Sequence, residues 1–325
     1  SAQSDILKNF PELKIKSFKF AGEGMDSSAF LLNNDLIFRF PKYKKVSAQL
    51  KIETAILPRL NRRVSLSIPD FKYVGRQKNG LLFVGYKKIH GVALEKKLFD
   101  SFSPQLQAKL LKQIAEFLEQ VHVFPVRRAQ KKGVKITDFK KRYATVLREV
   151  RKVYSKLDRV TIDYVENLFK PYLSDTHNFD YKPELLHSDL SLDHIIYDHV
   201  KKSIVGIIDF GDIEIGDPDY DLSYLYLGYG PDFVKRLLRF YHHKNSVALL
   251  KKLDFFSRCN VIHDLLMSIE RKVKKDIKWA IKLLKREGRE FKDFERLINE
   301  SRKLAKAKGL KRRDIGAIIK RVRQN

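Results

Sequence analysis

The chain has 325 residues, 43% apolar and 11% aromatic, enough for a substantial core in one large domain or two modest ones. Its 66 Lys and Arg against 39 Asp and Glu leave a formal charge of +27, which favours anionic partners such as nucleoside triphosphates, RNA or acidic lipid surfaces. With 15 Gly and 10 Pro it is neither low-complexity nor disordered by composition, and the lone Cys259 excludes an internal disulfide. A reducing, cytoplasmic setting is expected. No basic-apolar-small leader opens the sequence, and no apolar run is long enough to span a bilayer.

In chain order, Ile15 to Ala21 alternates like a strand, Gly22-Glu23-Gly24 breaks it, and Ala29 to Leu32 resumes it. Asn33-Asn34-Asp35 is a hairpin signal before the apolar run Leu36 to Phe40, which Pro41 closes. Ser47 to Leu60 carries helical spacing, and two further strands, Phe71 to Gly75 and Leu81 to Tyr86, flank a turn at Lys78-Asn79-Gly80. Beyond Gly91 the helical period takes over. Ser103-Pro104 starts a helix whose residues Leu106, Leu110, Ile114, Phe117, Leu118 and Val121 share one buried face. Arg127 to Lys135 reads as a basic loop, Thr137 to Leu173 as one or two long helices, and the chain from Asp232 as helical and increasingly basic. The fold class expected is α+β: a small antiparallel-sheet lobe over residues 1–88, then a larger, mainly helical lobe over 89–325 with a basic tail from about 291.

Charge is unevenly spread. Between Glu184 and Asp221 lie ten acidic residues and two basic ones, a stretch of −8 inside a strongly basic chain, which calls for a bound cation or metal. Within it stand His187-Ser188-Asp189-Leu190-Ser191-Leu192-Asp193-His194 and Ile207-Ile208-Asp209-Phe210-Gly211-Asp212. Asp209 ends a β-branched run twenty residues after Asp189, room for a hairpin that returns both carboxylates to one cleft. Phosphoryl transfer needs such a set: one carboxylate to take the proton of the attacking hydroxyl, a second with a neutral ligand to hold Mg²⁺. His242-His243 and Cys259 with His263 match no closed zinc spacing.

These segments resemble the aminoglycoside phosphotransferases, particularly the 2''-phosphotransferases, within the protein-kinase-like fold. His187 to His194 is similar to their H-x-D-x-x-x-x-N/H loop, and Asp209-Phe210-Gly211 to the metal-binding D-F-G. Gly216-Asp217-Pro218-Asp219-Tyr220-Asp221 resembles G-D-P-x-x-D. Upstream, Gly22 to Ser27 looks like the nucleotide loop and Ile37 to Lys42 like the third strand. The likeness covers about residues 15 to 290 in the right order.

The resemblance implies Asp189 as catalytic base, with His194 and Asp209 as Mg²⁺ ligands. It implies Ser27 and Arg39 at the phosphates of ATP or GTP, and Glu53 paired with Arg39. The backbone of Lys87 to Ile89 would be the hinge that holds the purine, with Tyr86 beside it restricting the pocket. His187 is expected to bond backbone near the D-F-G segment, and Asp217 to pin the catalytic loop. Arg39 stands where protein kinases carry Lys; its planar, permanent cation can grip phosphate oxygens, with Lys42 as reserve. Acids that could surround a polycationic acceptor are Asp212, Glu214, Asp217 and Asp221, with Asp264 and Glu270 on a later helix. Leu222 to Gly230 is instead aromatic and neutral, which suits a macrolide, a nucleoside or another large apolar-faced alcohol. The non-enzymatic alternative is a basic pseudokinase scaffold contacting RNA. The run Lys303 to Arg323 is expected to be a solvated helix face, with nucleic acid as the minority reading. A monomer without membrane contact is expected.

Overall fold

A computed structural model describes residues 1–24, 26–243 and 245–309. Met25 of the glycine-containing loop and the basic tail beyond 309 lie outside the described residues. The described residues form two compact units, Ser1–Phe139 with His177–Ser257, and Lys140–Thr176 with those from Arg258 onward.

The first unit opens with α1 (Ala2–Asn9) and a five-stranded antiparallel sheet, β1 (Phe18–Glu23), β2 (Ser27–Leu32), β3 (Leu36–Pro41), β4 (Phe71–Arg76) and β5 (Leu82–Lys87), ordered β1-β2-β3-β5-β4. Asn33 and Asn34 both sit at positive φ, 53° and 57°, as the tight turn between β2 and β3 requires. The Asn33 side chain also accepts from the Lys16 and Ser17 amides, anchoring the chain that leads into β1. Phe38, Phe40, Phe83, Leu32 and Ile6 close the core under this sheet, with Phe40 and Phe83 stacked at 4.6 Å. Phe38 lies opposite Gly85, where an added Cβ would come within 2.4 Å of its ring.

Between β3 and β4 runs α2 (Lys44–Leu60), which starts three residues before the expected helix. Its buried residues Leu50, Glu53, Leu57 and Leu60 recur three or four apart. Glu53 therefore lies on the face that packs inward, which is why a carboxylate there is only 1% exposed.

After β6 (Val92–Ala93) and α3 (Lys96–Asp100), Ser103 caps α4 (Pro104–His122), whose expected apolar face is buried from Leu110 onward, with Leu106 half-buried. The stretch expected to be a basic loop contains a short helix, α5 (Val126–Gln130), because Ala129 and Val134 turn inward and order it. β7 (Glu184–Leu186) pairs with β10 (Glu214–Gly216), while β8 (Ile195–Asp198) and β9 (Ser203–Ile207) form a hairpin beside β6. The segment that follows carries a 3₁₀ turn, Pro218–Leu222, then α8 (Ser223–Tyr229) and α9 (Pro231–Leu237).

Two helices pass from one unit to the other, and are numbered in chain order with their neighbours: α6 (Phe139–Arg151) and, after α7 (Arg159–Ser174), α10 (Ser246–Glu270). In the second unit α7 packs along α11 (Lys274–Ala307), with Gly288 against Thr161 and Tyr164 Oη donating to Glu287 at 2.7 Å. The architecture is α+β, a small antiparallel sheet followed by a mostly helical remainder.

Candidate active site

The β8–β9 hairpin brings the loop after β7 and the residues after β9 together, since Ile208 N donates to His194 O at 3.0 Å. His194 then stands between two carboxylates, its Nδ1 3.6 Å from Asp189 Oδ2 and its Nε2 3.6 Å from Asp209 Oδ2. Nδ1 also lies 2.7 Å from the Asp189 carbonyl. A proton donated there leaves the Nε2 lone pair facing Asp209. Arg39 reaches over from β3, its Nη2 3.5 Å from Asp209 Oδ1 and its Nη1 3.1 Å from Glu53 Oε2. Asp189, His194, Asp209, Arg39 and Glu53 thus form one continuous polar cluster within the first unit.

Backbone conformation aims these side chains. Ser188 and Asp209 sit in the left-handed region, φ 66° and 64°, each at a cost on the order of 1 kcal/mol. The turn at Ser188 separates His187, directed into the core, from Asp189, which stays 26% exposed. His187 is fully buried, donates from Nε2 to Ile208 O at 3.1 Å, and receives the Asp189 amide on Nδ1. Burial pushes its imidazole down to about 4.

Electrostatics divide the two aspartates. Burial raises the Asp189 carboxyl to about 7, reinforced by Asp212, Asp209 and Asp193 and opposed by His194. Burial works on Asp209 in the same direction, yet Arg39, His194, His187 and the Gly211 N–H outweigh it and hold its carboxyl below the usual range. Burial raises Glu53, with Arg39 opposing, and pushes the Tyr86 phenol up to about 12. Among the described residues no three or more His, Cys, Asp or Glu gather as a metal cage. His194 Nε2 and Asp209 Oδ2 form a two-donor edge, with Asp209 45% exposed. That set fits Mg²⁺, which keeps waters and takes further oxygens from phosphates.

The other expected residues fall differently. Ser27 opens β2, half-buried, its carbonyl accepting from Gly24 N. Lys42 is committed to Glu23 at 2.7 Å and to the Gly24 carbonyl. Lys87 ends β5, Ile89 is half-buried, and between them the Lys88 amide is spent on Asp35 O. Asp212 is exposed. Glu214 is turned toward the interior, accepting from Ser188 Oγ at 3.2 Å and from Thr137 Oγ1. Asp217 is 0% exposed and paired with Lys252 at 2.6 Å, so it presents no carboxylate to a ligand. Asp264 and Glu270 are exposed on the part of α10 that belongs to the second unit.

The residue that pins the loop is Asp221, four positions beyond the Asp217 expected to do so. Its buried carboxylate accepts the His187 amide at 3.0 Å and the Ser188 amide at 2.6 Å, and lies 3.0 Å from His122 Nε2. His122 is in turn 3.0 Å from Tyr241 Oη. Sequence reasoning missed His122, which follows directly on the apolar face of α4, and named Asp221 only as an acid for the acceptor, although it is buried against the loop.

Residues 17–256 match the model of the phosphotransferase enzyme family. A solved structure of APH(2'')-IIIa, a complex with GDP and kanamycin, is 32% identical over 88% of this chain and 97% of that one, with a TM-score of 0.84. APH(2'')-Ib with ADP bound is 23% identical over 86% of this chain and 96% of its own, at 0.73. A type I macrolide 2'-phosphotransferase shares the fold at 19% identity over 87% and 96%, at 0.68.

Proposed function

This chain belongs to the phosphotransferase enzyme family as a nucleoside-triphosphate-dependent kinase of small-molecule hydroxyls, and we propose that its acceptor is an aminoglycoside, phosphorylated with Asp189 as base. The observation that carries the reading is the convergence of Asp189, His194, Asp209 and Arg39 on one cluster, with the two aspartates driven to opposite proton affinities. The aminoglycoside rests on the likeness to a kanamycin-bound relative.

In this reading Asp189 accepts the hydroxyl proton as the acceptor oxygen bonds to the γ-phosphorus and the nucleoside diphosphate departs. A carboxylate poised near neutrality suits that exchange, since it takes a proton without being tied to a permanent cation. Arg39 grips the α/β-phosphates, and Glu53 holds the guanidinium in place. His194 Nε2 and Asp209 would hold Mg²⁺, which when bound neutralises the phosphate charge. Ser27 touches the phosphates, and the purine bonds the hinge at Lys87 to Ile89, the boundary between lobes 1–88 and 89–325. ATP or GTP is the donor, and Tyr86, buried at the end of β5, stands beside that hinge. The enzyme works as a cytoplasmic monomer; among the described residues no helix is long and apolar enough to cross a membrane.

Of the local acids, Asp212 and, on the catalytic loop, Asp193 are exposed, whereas Glu214 and Asp217 are committed inward. With the neutral, tyrosine-rich α8 beyond them, this favours a macrolide as the second reading. Asp189→Asn tests the enzyme against the scaffold: turnover should fall by about 10² to 10⁴ while nucleotide affinity stays within a few-fold. Unchanged turnover would remove Asp189 as the base.

A further inference from the structure

The turn after β10 carries three carboxylates in five residues, Asp217, Asp219 and Asp221, and buries all of them, at 0, 8 and 0% exposure. Asp221 is satisfied by the two loop amides and His122. Asp217 and Asp219 are neutralised from a different element. Lys252, on the first-unit part of α10, places Nζ 2.6 Å from Asp217 Oδ2 and 2.7 Å from Asp219 Oδ2, over the Tyr181 ring at 5.4 Å. Its side chain is 8% exposed. Asp217 Oδ1 also accepts the Asp219 amide at 3.2 Å, and Asp219 Oδ1 lies 3.0 Å from His243 Nε2.

We propose that Lys252 is a positioning residue for the catalytic loop: by bridging Asp217 and Asp219 it ties to α10 the turn whose third carboxylate, Asp221, holds the backbone of His187 and Ser188. Two buried carboxylates two residues apart repel, and the Lys252 ammonium between them offsets that repulsion while both face inward. The tight 3₁₀ geometry of Pro218–Leu222 leaves no slack between Asp219 and Asp221, so a shift of the first is carried to the second. Asp221 meets the loop through the amides of His187 and of the strained Ser188, the position that directs Asp189 outward. The contact path from α10 to Asp189 is therefore Lys252, the Asp217–Asp219 pair, Asp221 and the Ser188 amide. A lysine within an apolar helix register gave no sign of this in the sequence, because its acidic partners lie more than thirty residues upstream.

The effect on turnover rests on the Asp189 reading above; the effect on the loop does not. The test is amide hydrogen exchange, read by mass spectrometry on full-length wild type, Lys252→Met, and the double variant Lys252→Met with Asp217→Asn. The double variant removes one carboxylate along with the ammonium, leaving Asp219 its contact with His243. It restores charge balance and folding without restoring the tie. His187 and Ser188 amides should exchange at least tenfold faster in both variants, while amides of Leu110 to Leu118 in α4 keep wild-type protection. Wild-type protection of the loop in folded Lys252→Met would overturn the proposal. So would its return in the double variant together with the melting temperature, since Lys252 would then serve charge balance alone. Should Lys252→Met fail to fold, the double variant decides by itself. In parallel, with GTP, Mg²⁺ and kanamycin, kcat should fall at least tenfold in the double variant with the nucleotide KM within twofold of wild type. A wild type that transfers nothing to kanamycin sinks the acceptor assignment, and the exchange rates then decide the role of Lys252 on their own.

Discussion

Arg39 is the single side chain whose loss should be felt in both stability and binding. It is the cation that faces Glu53, a carboxylate 1% exposed, and it also reaches Asp209. Arg39→Met leaves Glu53 buried without a partner, an arrangement that costs about 3–5 kcal/mol when one member of a buried pair is removed. The melting temperature should drop, and adding Glu53→Gln should recover part of it without recovering nucleotide affinity; recovery of both would deny Arg39 its phosphate role. His187 gives a pH prediction. Its folded imidazole is held down to about 4, against about 6.5 when exposed, so the unfolded chain binds the extra proton between those values. The stability it contributes is complete above about pH 6.5 and is lost as pH falls toward 4, up to about 3 kcal/mol. Denaturant midpoints measured across that range should fall less steeply for His187→Gln than for wild type. Asp189 and Asp209 were legible as candidates because their spacings are tied to a loop and a strand end. Which of the three acids in Asp217 to Asp221 would pin the loop was not, because alternation within one tight turn leaves every carboxylate equally able to point inward.

At the scale of elements, the sheet depends on a residue that has no side chain. Gly85 on β5 faces the Phe38 ring on β3, and its substitution by Ala places a methyl where the ring already is. Overpacking of this kind costs about 1–3 kcal/mol, and pairing Gly85→Ala with Phe38→Leu should recover most of it in thermal unfolding. An unchanged midpoint for Gly85→Ala would mean the two strands part more easily than their register implies. The strands, the Asn33-Asn34 turn and α4 could be read in advance because period and turn chemistry agree there. Two short helices could not. α1 buries only Ile6, and α5 overlaps a nine-residue stretch with five basic residues, where the buried Ala129 and Val134 are too few to set a period.

For the whole molecule, charge is the property that sequence and structure express together. A chain of +27 with its acids concentrated around Asp189 attracts polyanions at range and holds cations locally. Raising ionic strength from about 0.05 to 0.5 M shortens the screening length from about 14 to 4 Å, so the nucleotide KM should rise several-fold. A KM insensitive to salt would confine the electrostatics to direct contacts such as Arg39. The family and fold were legible from ordered motifs; the acceptor was not, because Glu214 and Asp217 are turned inward and, among the described acids, only Asp193 and Asp212 stay exposed near Asp189, beside the neutral, tyrosine-rich α8. The most direct measurement is mass spectrometry of kanamycin incubated with the protein, Mg²⁺ and GTP, beside the same reaction with Asp189→Asn. A phosphoryl mass gain with wild type and none with the variant is the predicted result. A gain of equal size with both, or none on kanamycin while a macrolide gains it, would contradict the base in the first case and the acceptor in the second.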